Sequence, residues 1–165
     1  MSISDIIDKI KRIPIQLIEI TGGEPLLQTY TLTLIDNLIQ EDRTVVIETN
    51  GSISIKDVNK NAHLILDIKT PSSRMSDKMD FSNLRYLDKK DEVKFVLSNR
   101  YDYDWSIDII NRYDLYRTVK NVLLSAVYEM LDLKELAMWM VQDALKARLN
   151  TQIHKYIFGE DKRGV

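Results

Sequence analysis

The chain has 165 residues, 44% of them hydrophobic and 29% charged, with a formal net charge of −2. That length and balance suit one globular domain, residues 1–165, with a sizeable core and no basic footprint for nucleic acid. Cysteine is wholly absent, which excludes disulfides, thiolate zinc sites, cysteine nucleophiles and a self-contained iron–sulfur site within these residues.

Ser2 and Asp5 have the spacing of a capping box, and Ile6, Ile7 and Ile10 follow as a helical stripe that Pro14 closes. An apolar strand over Gln16 to Ile20 runs into Thr21-Gly22-Gly23-Glu24-Pro25. Two adjacent glycines at a strand end let a ligand approach bare backbone, while Glu24 adds a carboxylate and Pro25 stiffens the exit. An ordinary βα turn accounts for the same residues. Leu34, Ile35, Leu38 and Ile39 predict a helix over Thr31 to Gln40. Thr44 to Glu48 is a short strand ending in Asn50-Gly51, a strong turn signal. Ser54 and Asp57 suggest a capped short helix over Ile55 to Asn61.

His63 to Ile68 reads as the third strand, followed by a loop from Lys69 past Met75 and Met79 to a weak helix near Asn83 to Leu87. Glu92 to Leu97 is the fourth strand, and Trp105, Ile109 and Ile110 mark one face of the next helix, whose N-terminus Asp102 and Asp104 serve. Asn121 to Val127 is the fifth strand. Leu133, Leu136, Ala137, Met140 and Val141 give a long amphipathic helix over Asp132 to Lys146. A sixth strand near Arg148 to Gln152 leads into a polar, aromatic tail. No apolar run reaches the length of a membrane span, and the opening residues lack a signal-peptide pattern, so a cytoplasmic location is the expectation.

Strands alternating with helices predict a parallel sheet with right-handed crossovers. In such an array the residues just past each strand converge on one rim. Those positions are Thr21 to Glu24, Glu48 to Asn50, Asp67 to Lys69, Ser98 and Asn99, Ser125 to Val127, and Gln152 to His154. Carboxylates, amides, hydroxyls and a lysine gathered there suggest a site for a polar, charged small molecule. Taken singly, each also fits a solvated loop; His63, Trp105 and Trp139 read as structural.

Several of these segments carry a resemblance. Thr21–Pro25 (TGGEP) after an apolar strand resembles the radical S-adenosylmethionine motif that receives the methionine end of that cofactor. Glu48–Gly51, Asp67–Ser73, Asp91–Val96 and the ending Gln152–Ile157 with Arg163–Val165 narrow the likeness to the 7-carboxy-7-deazaguanine synthases, over nearly the whole chain. The resemblance implies a partial parallel (β/α) barrel of the radical-SAM type with about six strands. It also implies conversion of 6-carboxytetrahydropterin to 7-carboxy-7-deazaguanine, with S-adenosylmethionine, a four-iron four-sulfur cluster and magnesium, on the route to queuosine and archaeosine in transfer RNA. By that likeness Gly22, Gly23 and Glu24 hold the cofactor's ammonium group. Glu48, Asn50, Asp67, Lys69, Ser125 and Val127 line the rest of the cofactor, and Thr21, His154 and the terminal Val165 face the pterin. The commoner family pattern has Ser-Pro before the lysine and Gln-Pro near the fifth strand, and this sequence departs from both.

The family's first strand, its three-cysteine loop and its magnesium ligand belong ahead of Met1. The expectation is therefore a chain that is inactive alone, either a truncated product or one whose cysteines come from a partner; the alternative is a non-catalytic module for S-adenosylmethionine binding or assembly. Without a preceding strand, Gln16 to Ile20 is an apolar sheet edge, expected to be covered by a second copy or another chain.

Overall fold

The computed structural model describes residues 2–158. Six strands form one sheet in the order β1-β2-β3-β4-β5-β6, every neighbouring pair parallel. They are β1 (Leu17–Ile20), β2 (Thr44–Thr49), β3 (His63–Ile68), β4 (Glu92–Leu97), β5 (Asn121–Ala126) and β6 (Arg148–Asn150). The helices are α1 (Ile3–Lys11), α2 (Thr31–Gln40), α3 (Arg100–Arg112), α4 (Leu115–Thr118), α5 (Leu133–Gln142) and α6 (Ile153–Phe158). Strands in sequential order joined by right-handed crossovers put the connecting helices on one face of the sheet. The result is a partial (β/α) barrel, as expected.

Burial along the strands shows which face is which. In β2, β3 and β4, Val45, Ile47, Leu64, Leu66, Ile68, Val93, Phe95 and Leu97 are buried, and they alternate with half-buried neighbours. Because side chains alternate across a strand, the buried set faces the helices and the half-buried set lines the open, concave face. The core lies under α2, α3 and α5, with Ile35, Leu38, Tyr103, Ile110 and Leu136 contributed from the helix side. Trp105 packs edge-on to Phe95, a core position as expected.

Capping follows the sequence where local chemistry decides. The Asp5 N–H donates to Ser2 Oγ at 3.1 Å and the Ser2 N–H to Asp5 Oδ2 at 2.9 Å, completing the expected capping box. Two expectations are corrected. Ile55 to Asn61 forms successive three-residue turns instead of a helix. The buried Asn83 side chain accepts the Ile55 N–H and donates to the carbonyls of Gly51 and Ile53, occupying groups a helix start needs. The long helix stops at Gln142, four residues short. Ala144 adopts a left-handed φ of 47°, and the N–H groups of Ala144 and Leu145 donate back to Val141 and Met140 as in a Schellman closure. The region of Asn83 to Leu87 is a 3-10 turn over Phe81–Tyr86.

The sheet ends on two open strands among the described residues. The Gln16 carbonyl accepts the Thr44 N–H, and backbone polar groups alternate sides along a strand, so those of Leu17 and Glu19 point away from β2. Leu17 is 55% exposed, and Ile13 and Ile15 beside it are similarly bare. Among the described residues no helix is long and apolar enough to cross a membrane.

Candidate functional site

The concave face holds a cavity of about 1020 Å³ whose floor runs from β1 to β6 and whose rim is the strand ends. Its polar lining includes Glu19, Thr21, Glu48, Asp67, Lys69, Glu92, Lys94 and Asn150. The loop Thr70 to Ser73 and the residues Val127 and Gln152 complete the upper rim. A second recess of about 340 Å³ shares Met130, Asn150, Thr151 and Gln152 with it and extends along Tyr128 to Leu133.

Polar side chains on this floor are largely tied to one another across strands. Lys94 Nζ on β4 lies 2.6 Å from Glu48 Oε1 on β2, reaching over β3. Thr21 donates to the same Glu48 carboxylate at 3.5 Å. Asn150 Nδ2 donates to Ser125 Oγ at 2.9 Å, and the Asn121 amide donates to Glu92. Lys69 Nζ is 2.6 Å from Asp67 Oδ2, which leaves Asp67 Oδ1 buried without a hydrogen-bond partner. Four carboxylates against two ammonium groups make the floor acidic, so it favours ligands rich in N–H and O–H donors.

Of the residues expected at the site, Thr21, Glu48, Asp67, Lys69 and Val127 face the cavity together. Ser125 sits just beneath, fully buried under Asn150. Asn50 turns its side chain to the Ser52 N–H, capping its own turn. Gly22 and Gly23 follow the cavity-lining Thr21, and a Cβ added at either would meet nothing within 4 Å. Gly22 has a φ of +131°, a region that L side chains rarely adopt.

Glu24 is placed differently from the expectation that its carboxylate looks into the site. It is buried, accepting from Thr49 Oγ1 at 2.9 Å, from the Asn50 N–H at 2.8 Å and from the Leu26 N–H at 3.0 Å. Thr49 follows cavity-facing Glu48 on the strand, so its hydroxyl lies on the helix side of the sheet, and the Glu24 carboxylate is there with it. His154 lies in α6, just past β6, and its side chain falls outside what the structure describes, as does the whole of Val165.

Two contributors escaped the sequence reading. Lys94 sits mid-strand, away from the rim positions, and only the fold shows it crossing to Glu48. Asp102 reads from sequence only as a helix-end residue. It does stand in the first turn of α3, but its buried carboxylate also accepts the N–H groups of Ser72 and Ser98, both at 3.0 Å, and so pins the Lys69–Ser73 loop to the end of β4.

The donor set also bears on cofactors. A thiolate-bound cluster does not fit this chain, which has no cysteine, and among the described residues no three His, Asp or Glu side chains stand together to hold a metal ion. S-adenosylmethionine fits better. Open glycine backbone, a lysine, a free carboxylate oxygen and amides match its ammonium, carboxylate and hydroxyl groups.

No family model matches the sequence. Among curated proteins, the chain is 38% identical over 171 residues to the 7-carboxy-7-deazaguanine synthase of Clostridium acetobutylicum, covering all of this chain and 76% of that one. It is 32% identical over 179 residues to the enzyme of the same name from Koribacter versatilis, covering all of this chain and 79% of that protein. In solved structures, QueE from Escherichia coli superposes with a TM-score of 0.72 at 19% identity, over 92% of this chain and 64% of that one. Streptococcus suis SuiB bound to S-adenosylmethionine gives 0.65 at 14% identity, over 92% and 42%. At those identities the two structures speak for the fold alone.

Proposed function

This chain belongs to the 7-carboxy-7-deazaguanine synthase family, and on that footing we propose that its concave face receives S-adenosylmethionine beside 6-carboxytetrahydropterin, the precursor of 7-carboxy-7-deazaguanine. One observation supports this: Thr21, Glu48, Asp67, Lys69 and Val127, all at strand ends, line one cavity with the open Gly22–Gly23 backbone beside them. Gly22 and Gly23 offer carbonyl acceptors to the cofactor's ammonium group. Lys69 meets its carboxylate. Asp67 Oδ1, buried and unpaired, accepts a ribose hydroxyl, since an unmet buried acceptor costs stability that a ligand donor removes. Val127 borders the cavity, Ser125 lies buried beneath Asn150, and the second recess beyond Asn150 gives the adenine room.

Thr21 stands on the substrate side, and the family likeness adds His154 and Val165 there. The acidic floor suits the amino and ring N–H donors of a reduced pterin. A reducing cluster, where one is supplied to bound S-adenosylmethionine, would provide the radical chemistry of the family. The residues of this chain do not fit such a cluster, so what they contribute is binding, orientation and exclusion of water.

The open edge of β1 favours a covering strand. Leu17 and Glu19 leave backbone groups unpaired on a strand flanked by bare Ile13 and Ile15, and a further strand from a second chain satisfies both. Sedimentation together with amide exchange tests this. A monomer whose Leu17 and Glu19 amides exchange at unprotected rates contradicts it. The ligand assignment is tested by calorimetry: micromolar binding of S-adenosylmethionine to the folded chain is expected, and a folded chain giving no heat overturns it.

A further inference from the structure

The geometry points to a joint task for Glu24 and Thr49 outside direct ligand contact: they are positioning residues that fix where the Gly22–Gly23 backbone stands. This rests on the S-adenosylmethionine reading above for its consequence, though not for the clamp itself.

Thr49 ends β2 and is 1% exposed, with its hydroxyl on the helix side of the sheet and 2.9 Å from both oxygens of Glu24. The Asn50 and Leu26 N–H groups donate to the same carboxylate. Three donors fill most of the acceptor capacity of one carboxylate, and all three come from the protein. The Leu26 bond closes the turn at Pro25, and the other two tie that turn to the top of the neighbouring strand. The segment is thus held at both ends, by the pairing of Ile20 with Ile47 and by Glu24. Between the anchors lie Thr21, which lines the cavity, and two glycines with open space where a side chain would be.

Two consecutive glycines are the most freely rotating dipeptide a chain can contain. An unanchored Gly-Gly would have to be ordered by the ligand, at a cost in affinity. The Glu24 clamp performs that ordering in advance, which assigns the acid of the motif a task on the face of the sheet away from the cavity. Thr49 then governs binding without touching the ligand.

The experiment compares Thr49→Val, Thr49→Ser and Glu24→Gln in two arms. In the first, without ligand, amide exchange over residues 21–27 rises about tenfold in Thr49→Val and Glu24→Gln, the scale of one hydrogen bond to a charged acceptor. It stays near wild type in Thr49→Ser, which keeps the hydroxyl. Unchanged exchange in Glu24→Gln overturns the clamp, and this arm reads out even if Thr49→Val does not fold. In the second arm, S-adenosylmethionine binds more weakly to Thr49→Val by a similar factor, and the double variant is no weaker than Glu24→Gln alone. If Glu24→Gln loses affinity while a folded Thr49→Val keeps it, Glu24 touches the ligand directly and the positioning role fails. If wild type binds no S-adenosylmethionine, the function reading fails while the exchange arm still decides the clamp.

Discussion

Lys94 Nζ and Glu48 Oε1 are 2.6 Å apart across an intervening strand, on the floor of the cavity. Both side chains are largely buried, 15% and 26% exposed, so the pair is shielded from water more than a surface ion pair is. Among the described residues, Lys94→Met leaves Glu48 with the 3.5 Å contact from Thr21. Urea unfolding of Lys94→Met, Glu48→Gln and the double variant is expected to give a coupling of about 1–3 kcal/mol. Additive single effects, to within about 0.5 kcal/mol, would show that the contact adds nothing to stability.

Asp102 offers a second handle on the same cavity from outside it. Its carboxylate accepts two backbone N–H groups from segments that do not adjoin in sequence, Ser72 in the rim loop and Ser98 after β4. Asp102→Asn keeps the volume but turns an NH2 group toward one of those donors. A loss of about 1–3 kcal/mol in thermal unfolding is expected, with amide exchange rising more at Ser72 in the rim loop than along α3. Exchange that rises evenly over the whole chain would mean that the loop is not selectively held by this side chain.

The contrast between these residues and the strands shows what a sequence can reveal. The strands β2, β3 and β4 are legible because buried residues, apolar in all but Thr49, alternate along them. The capping box at Ser2 was legible because it involves residues three apart. The turns at Ile55 were not, since Ile55, Val58 and Ala62 keep helical spacing while the deciding group, Asn83, lies 28 residues along the chain from Ile55. The end of α5 was hidden because an alanine, and not a glycine, takes the left-handed position. At the site, the rim residues followed from topology. The direction of Glu24 did not, because it depends on which of two adjacent residues, Glu48 or Thr49, it meets.

The two glycines separate strain from occupancy. Gly22→Ala places a Cβ on backbone at φ +131° and is expected to cost about 1–3 kcal/mol in unfolding free energy. Gly23→Ala meets no neighbour within 4 Å and lies outside that strained φ range, so its stability should stay within about 0.5 kcal/mol of wild type. Its S-adenosylmethionine affinity should nevertheless fall sharply, because the methyl group takes the space where the ligand approaches bare backbone. Wild-type affinity in Gly23→Ala would move the ligand away from this loop.

Tyr103 gives the fold an alkaline limit that can be isolated. Burial, and then its 2.7 Å hydrogen bond to Asp143 Oδ2, hold the phenol well above its ordinary value, so the folded state keeps this proton where the unfolded chain releases it. The stabilisation from the protonated phenol is complete below the unfolded value of about 10 and is lost as pH rises from there toward the folded value. Urea unfolding at intervals between about pH 9 and pH 11 should therefore show stability falling with pH. Tyr103→Phe should lower stability at pH 9 through the lost bond to Asp143 and make the alkaline decline shallower, leaving the part owed to Tyr116, which burial also raises. Parallel declines for the two proteins would mean that the phenol of Tyr103 titrates equally in folded and unfolded chains.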